Sequence, residues 1–576
     1  MQKKQTILVV ASLLVVVLSV TLAYFTAQII GEGKNISVSS ADLKIVFTDT
    51  DGNIEGNGIT PGWSNSKTFT VKNESNGTYK YDIIIKDLVN TFKTYKYLEY
   101  KITSTDGGYN MTDYSYLPKS STKEDVALAY EVSIDKGKTH TYTIEIKYVN
   151  DEYVDQSIDM GQSLSGTIYI REFTKPIMKL TDKLMADNPL IKTRTTFTAF
   201  TETNTGILYK ATEQIGTNPV KDVYYFAGNA KNNWVKFGKT TESSCTYKGK
   251  EVVYINNTNQ IKRYPKTETE CTSTNICGFG EYDYYEVGET ESECSDGEGT
   301  WINEKATWNG TSTKDIYWRI IRTNADGSIK LLYAGTSPDT EKAFIEMSKF
   351  NTTATDPIYV GYKYGTTGSL ENNRLNTNDS TIKTYVDNWY KNNLTTYTKY
   401  LSKDAVYCND RNLASGQTYF TKRRFNYAPY ERIYTNKQPT YNCTNMSDAF
   451  SVNNTSAKLD YPVGLMTIDE LSYAGGESFT KLTAPYAWYY TNANGESSYG
   501  STSFWSITPS YWTGSGSIVW GVNGSVYPGF LGESYYVDGS IVVRPSVSLL
   551  SCNLISRGDG SPENPYEIYT GNGVCE

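Results

Sequence analysis

Between residues 40 and 172 the chain alternates apolar and polar positions in short runs. Leu43, Ile45 and Phe47 fall on one face, as do Tyr81, Ile83 and Ile85, and then Tyr142, Ile144, Ile146 and Tyr148. A period of two is the signature of a strand with one buried and one wet face. About seven such runs, ending with Gly166 to Ile170, are separated by reversals such as Pro61-Gly62-Trp63 and Asn73 to Gly77. They predict a β-sandwich over residues 28–173.

The pattern changes after that. Thr174, Pro176 and the stripe Ile177, Leu180, Leu184 predict a short capped helix that stops at Asn188-Pro189, so residues 174–189 read as a linker. Residues 190–550 mix periods of two and of 3.6. Strands are expected at Val223 to Phe226 and Trp234 to Phe237, with a hairpin of Ile316 to Arg322 and Ser328 to Tyr333 turning at Asn324-Ala-Asp-Gly327. Asp379-Ser380 caps a helix carrying Ile382, Val386, Trp389 and Leu394 on one face, and Thr467-Ile-Asp-Glu470 is a capping box closed by Gly475-Gly476. The whole is multidomain and β-rich, with an α+β second domain and a C-terminal tail at 551–576.

One run fits neither domain. Lys3 and Lys4 precede Ile7 to Ala23, an uninterrupted apolar stretch, so residues 1–27 read as an export signal. The stretch is also about as long as a bilayer requires, and retention as a membrane anchor stays open beside cleavage. Thr21, Ala23 and Ala27 are the small residues that favour cleavage.

Export changes the reading of the eight cysteines, which become disulfides. Cys408 and Cys443 bracket an Arg- and Tyr-rich loop, and Cys552 and Cys575 close the tail. Cys245, Cys271, Cys277 and Cys294 crowd into residues 240–300, where Thr241 to Cys245, Thr267 to Cys271 and Thr290 to Cys294 repeat a Thr-Glu-x-x-Cys motif. This is a cysteine-rich insert held by two bridges, and four cysteines allow three pairings. Paired Cys-x-x-Cys knuckles are missing, so no metal is expected.

Net charge is −8, and no basic stripe follows the first few residues, which argues against nucleic acid as a partner. Tyr (50) outnumbers Phe (18), as a polar yet aromatic exported surface or an AT-rich codon bias would each produce. A single histidine, His140, leaves triads, His-based zinc sites and most general-base arrangements without their imidazole. It opens a strand and is expected at the surface. No catalytic residue and no cofactor is expected. Asp49, Asp51 and Asn53 lack the downstream bidentate Glu of a calcium loop and read as a solvated turn. Arg557-Gly558-Asp559, the tripeptide that integrins recognise, reads as ordinary turn chemistry.

The most aromatic stretch lies near the end. Trp488, Tyr490, Trp505, Trp512 and Trp520 are the candidate ligand-stacking residues, although most of this stretch is expected in the core.

Two resemblances sharpen these expectations. Thr21-Leu-Ala-Tyr-Phe25, Ser40-Ala-Asp-Leu-Lys-Ile45 and Pro61-Gly-Trp63 leading into Thr68-Phe-Thr-Val-Lys-Asn73 resemble the TasA/camelysin group of Gram-positive biofilm-matrix and surface proteins. The resemblance covers residues 1–173 and implies a SipW-type signal, a jelly-roll-like sandwich and, in some members, fibres assembled by lending an N-terminal strand. Further on, Ile316 to Arg322, Val463 to Thr467, Phe504 to Pro509 and Val543 to Pro545 follow the order of a domain of unknown function in Firmicutes surface proteins. That domain is similar to the C-type-lectin-like and formylglycine-generating-enzyme fold. The close cysteine pair of those enzymes has no counterpart between Cys443 and Cys552, so catalysis is not implied.

The chain is therefore expected outside the cell, at a Gram-positive surface, secreted or N-terminally anchored, as a non-catalytic adhesion protein for a glycan or a surface protein. The alternative is a matrix fibre component that donates Ala27 to Ser39. Ile29, Ile30, Ile36 and Val38 suit donation, but Gly31-Glu-Gly33 weakens it, so this segment is expected to act as a tether on a mainly monomeric protein.

Overall fold

The computed structural model describes residues 26–31, 36–39, 44–49, 54–57 and 59–571, apart from 76, 174–177, 257–260, 264, 273–274, 280–283, 288–290, 297–298 and 525. Residues 1–25, read above as an export signal, Asp51 with Asn53, and Cys575 lie outside the described residues. The chain divides into two compact units, Met1–Lys175 and Pro176–Glu576. Among the described residues no helix is long and apolar enough to cross a membrane.

In the first unit, alternation builds two sheets. Its strands are β1 (Thr26–Gly31), β2 (Ile36–Ser39), β3 (Lys44–Asp49), β4 (Ile54–Asn57), β5 (Ser64–Asn73), β6 (Tyr79–Asn90), β7 (Leu98–Ser104), β8 (Ser115–Tyr116), β9 (Ser120–Ile134), β10 (Thr139–Tyr148) and β11 (Ser163–Glu172). One sheet has the order β4-β1-β11-β6-β9 and the other β2-β3-β5-β10-β7-β8. Phe69 and Val71 of β5 and Tyr142, Ile144 and Ile146 of β10 share one apolar cluster with Ile83 and Ile85 of β6 and Ile168 and Ile170 of β11. Both sheets therefore bury their apolar faces in a common core, each filled position contributing about 1.5–3 kcal/mol.

Two expectations fail here. His140 is not a surface residue. Only 5% of it is exposed, because it falls in phase with Tyr142, Ile144, Ile146 and Tyr148 on the inward face of β10. Its Nδ1 lies 2.8 Å from the Tyr81 hydroxyl, which makes burial of the polar ring tolerable. Nor do the described residues of 27–39 form a tether. β1 is a paired strand, parallel to β11 from Thr26↔Ser163 to Gly31↔Ile168 and antiparallel to β4, while β2 forms a hairpin with β3.

The second unit is mixed. Its largest sheet is built around the antiparallel pair Trp234–Tyr247 and Thr307–Thr323, the latter continuing through the expected hairpin into Ile329–Tyr333 and then Pro545–Leu549. A second sheet has the strands Met347–Lys349, Ser540–Val542, Phe504–Trp512, Ser517–Val522 and Leu531–Tyr536. The outer ends of the long pair carry the insert, in which Cys245 bonds Cys271 and Cys277 bonds Cys294. Cys408 bonds Cys443, and Cys552 is also disulfide-bonded.

The helix at the start of the second unit differs from the linker expected. It runs Leu180–Asp187, buries Leu180 and Leu184, and belongs to the unit itself. Leu180 N donates to Asn553 O at 2.9 Å, and the Tyr566 hydroxyl donates to Asp187 at 2.8 Å. The C-terminal stretch is likewise no appended tail, since Tyr566–Ile568 adds a strand parallel to Val235 and Lys236.

Buried cations and a buried carboxylate tie this interior together. Arg319 donates to Asn233 and to the carbonyls of Ala230 and Thr491, with its guanidinium 4.2 Å from the Trp234 ring. Arg544 donates to the carbonyls of Tyr333 and Tyr489, and burial lowers its pKa to about 10. Glu470 completes the capping box with Thr467, and the same carboxylate accepts from Arg322 at 2.9 Å and Lys330 at 2.7 Å.

Candidate functional site

The five aromatics singled out in the sequence are core residues. Trp488, Tyr490, Trp505, Trp512 and Trp520 are all at most 3% exposed. Three of the indoles donate to main-chain carbonyls: Trp488 to Phe226, Trp505 to Ser348 and Trp512 to Thr421. An indole satisfied in this way contributes packing and fixes its neighbours, and its face is not available to a ligand. The Arg557-Gly558-Asp559 turn is also engaged, because Arg557 Nε donates to Glu567 at 2.8 Å.

Several interior carboxylates of the second unit are held by cations. Glu213 accepts from Arg322, Asp469 and Asp410 accept from Arg432, and Asp448 accepts from Arg411 and Arg374. Asp379, Asp387 and Asp460 converge closely enough to hold a cation, but the Lys383 ammonium already stands 3.1, 2.6 and 2.7 Å from them. Burial raises the pKa of Asp387 to about 6, against the opposing pull of Lys383. A carboxylate fixed by a guanidinium is a structural charge, since its pairing holds it in one protonation state. Between Ile215, Asn324, Asp404 and Asn453 a groove of about 430 Å³ opens, lined by apolar side chains together with amides and carboxylates.

What the sequence did not reveal is a second aromatic system, on the surface. The rings of Tyr527, Phe530, Phe479, Tyr434, Tyr430 and Tyr511 follow one another at centroid distances of 5.9, 5.4, 5.0, 5.0 and 5.6 Å. Phe479 and Tyr527 are each 54% exposed and Tyr434 is 40% exposed. Four separate stretches supply them: the consecutive helical turns Ala428–Tyr430 and Glu431–Thr435, the loop after the helix Ile468–Ala474, the strand Phe504–Trp512, and the connection between Ser517–Val522 and Leu531–Tyr536.

Phe479 is strained as well as exposed. Its φ of 58° lies in the left-handed region, which costs a side chain with a Cβ about 1–2 kcal/mol. Its surroundings hold it there. Glu477 pairs with Lys437 and accepts from Ala199 N, and Ser478 bridges to Leu531. Burial would raise the Glu477 carboxyl, but these partners outweigh it and bring the pKa below the ordinary value. A lone large apolar residue in a polar loop directly after Gly475-Gly476 was the one available sequence signal.

No family model matches the chain, and no curated protein matches it. Among solved structures it has a likeness to the crystal structure of the CupB6 tip adhesin from Pseudomonas aeruginosa, at 10% identity and a TM-score of 0.12, over 54% of this chain and 92% of that one. A likeness this slight carries no argument about fold or function.

Proposed function

We propose that this chain is an exported, non-catalytic binding protein of the bacterial surface, whose second unit engages a glycan or a surface protein through the exposed aromatic run. In this reading the first unit is a jelly-roll-like sandwich of the TasA/camelysin kind and the second a lectin-like α+β body. The observation that carries it is the run from Tyr527 to Tyr511, with its strained and exposed Phe479. Contiguous exposed aromatics, held by their neighbours on a monomer's surface, mark an interaction site. Oxidised cysteines support an oxidising, extracellular setting.

The test is a glycan and surface-protein array probed with the wild-type protein and with Phe479→Ser. Loss of all captured ligands in the variant, with unchanged melting, supports the reading; unchanged capture refutes it. One observation favours the alternative of a matrix fibre. The slot between β4 and β11 is strand-shaped, and here the chain's own β1 fills it.

A further inference from the structure

We infer that the aromatic run is one part of a receptor for acidic polysaccharide, and that Lys422, Arg423 and Arg424 form the other part. The inference rests on the reading of the aromatic run as a binding face and adds the ligand's charge to it. The three consecutive cations lie in the loop closed by Cys408–Cys443, and all three are exposed. None forms a salt bridge among the described residues. Glu533 is near enough to Arg424 to feel its charge but makes no ion pair with it. In a chain of net charge −8, three adjacent unpaired cations make a local positive patch within a negative field, and such a patch selects anions.

The cations are interleaved with rings. The Arg424 guanidinium lies 4.2 Å from the Tyr511 centroid and 5.9 Å from that of Tyr430, at the end of the run. Arg423 lies 6.0 Å from the centroid of Phe420, which is 47% exposed. A guanidinium stacked on a ring is oriented before a ligand arrives; Arg424 also hydrogen-bonds Tyr430, and the rest of its fork of donors suits a carboxylate or sulfate. The backbone beneath is anchored too. Thr421 O accepts from Trp512 Nε1 at 3.1 Å, and Phe425 and Asn426 pair with Trp512 and Tyr511. The basic edge is thus a supported part of the second sheet.

Rings that meet the C–H face of a pyranose, next to guanidinium groups that donate to its carboxylate or sulfate, match an acidic sugar polymer on both counts. A single-stranded nucleic acid also combines rings and negative charge. Two observations disfavour it. The five successive contacts meet at 48°, 82°, 64°, 42° and 84°, so none is face-to-face, where stacked bases need a row of open parallel faces. The disulfides favour an oxidising compartment, where nucleic acid is a less common partner than in the cytoplasm.

The experiment uses the full chain on immobilised polygalacturonate, hyaluronan and heparan sulfate, with amylose and a neutral β-glucan beside them and single-stranded DNA as a competitor. Retention is expected on the acidic polymers, weakening about tenfold between 50 and 200 mM salt, as several charge contacts require. Lys422→Ser/Arg423→Ser/Arg424→Ser is expected to lose at least about tenfold in affinity and most of the salt dependence. Phe479→Ser is expected to weaken binding with the salt dependence kept. Arg424→Lys, which retains charge but not stacking, should fall between, and melting curves show that each variant folds. Retention of neutral polymers alone, with the triple variant unaffected, overturns the inference and leaves the aromatic face standing. Binding that survives both Phe479→Ser and the triple variant overturns both, as does the absence of retention on every polymer. Displacement by DNA at equal charge concentration overturns the choice of polysaccharide.

Discussion

The Tyr81 hydroxyl stands between Nδ1 of His140 at 2.8 Å and the Tyr142 hydroxyl at 2.6 Å, so the imidazole is hydrogen-bonded without a carboxylate in contact. Burial lowers its pKa, and the more distant charges of Asp106 and Asp135 only partly oppose this. The unfolded chain therefore takes up a proton near pH 6.5 that the folded chain refuses. Stability is full above pH 6.5 and declines as pH falls through the lower folded pKa. Because His140 is the only histidine, its imidazole resonance can be followed alone. NMR should show a midpoint below 6.5, and His140→Gln should flatten the stability profile in that window; a midpoint at or above 6.5 contradicts the assignment. Phe479 gives a second expectation at this scale. Phe479→Gly relieves a left-handed φ worth about 1–2 kcal/mol, offset by the greater freedom of glycine in the unfolded chain, so melting should hold while ligand capture is lost. Trp505→Ala, by contrast, empties a buried site and should cost about 3–5 kcal/mol. The phase of His140 was legible in the sequence, and so was the likelihood that tryptophans pack inside. The exposure of Phe479 was not, since a single apolar residue in a polar loop has no period.

Among the elements, capped helices and the hairpin at Asn324 to Gly327 were legible because their signals are local. Thr467 and Glu470 lie three residues apart and bond each other, and Ser380 caps its helix by accepting from Lys383 N. The pairing of the four insert cysteines was not legible, because it depends on which strand ends the long antiparallel pair brings together. Cys408–Cys443 closes a separation of 35 residues, for which loop closure predicts about 4 kcal/mol. Cys408→Ala/Cys443→Ala should lower denaturant stability by up to that amount; an unchanged midpoint would show that the loop is held by Arg411 and Arg432 alone. The parallel pairing of Tyr566–Ile568 with Val235 and Lys236 had no sequence signal either, for its partners are far apart in the chain. Its charge makes a prediction. Burial pushes the Glu567 carboxyl up, but Arg557 at 2.8 Å and Lys236 at 3.1 Å outweigh that and hold its pKa at about 2. A depressed carboxylate stabilises the fold above its unfolded pKa near 4.5 and loses that contribution as pH falls toward 2. Its loss is worth at most about 3 kcal/mol. Acid unfolding of Glu567→Gln should lack this component, and a profile identical to wild type would remove Glu567 from the account.

For the whole molecule, the open question is whether the chain completes its own first sheet or a neighbour's. Apolar residues at 29, 30, 36 and 38 flagged the segment as a strand, and the glycines at 31 and 33 argued against it. Both signals were partly right. Gly31 is the last residue of β1, so the strand occupies Thr26–Gly31 and ends where the glycines begin. β1 is paired on both sides, over six positions with β11 and four with β4. At about 0.5–1.5 kcal/mol for each net hydrogen bond, a strand seated in this way contributes several kcal/mol. A chain that fills its own slot has no edge to offer there, and a neighbour's strand must first displace β1. Residues 27–576 should therefore run as a monomer in light scattering. Residues 35–576 lack β1 and expose β11 and β4, so they should melt lower and regain stability when a peptide of the sequence Thr26 to Gly31 is added. Filaments from 27–576, absent from 35–576, would show that β1 is donated between chains and would establish the matrix role over the monomeric one.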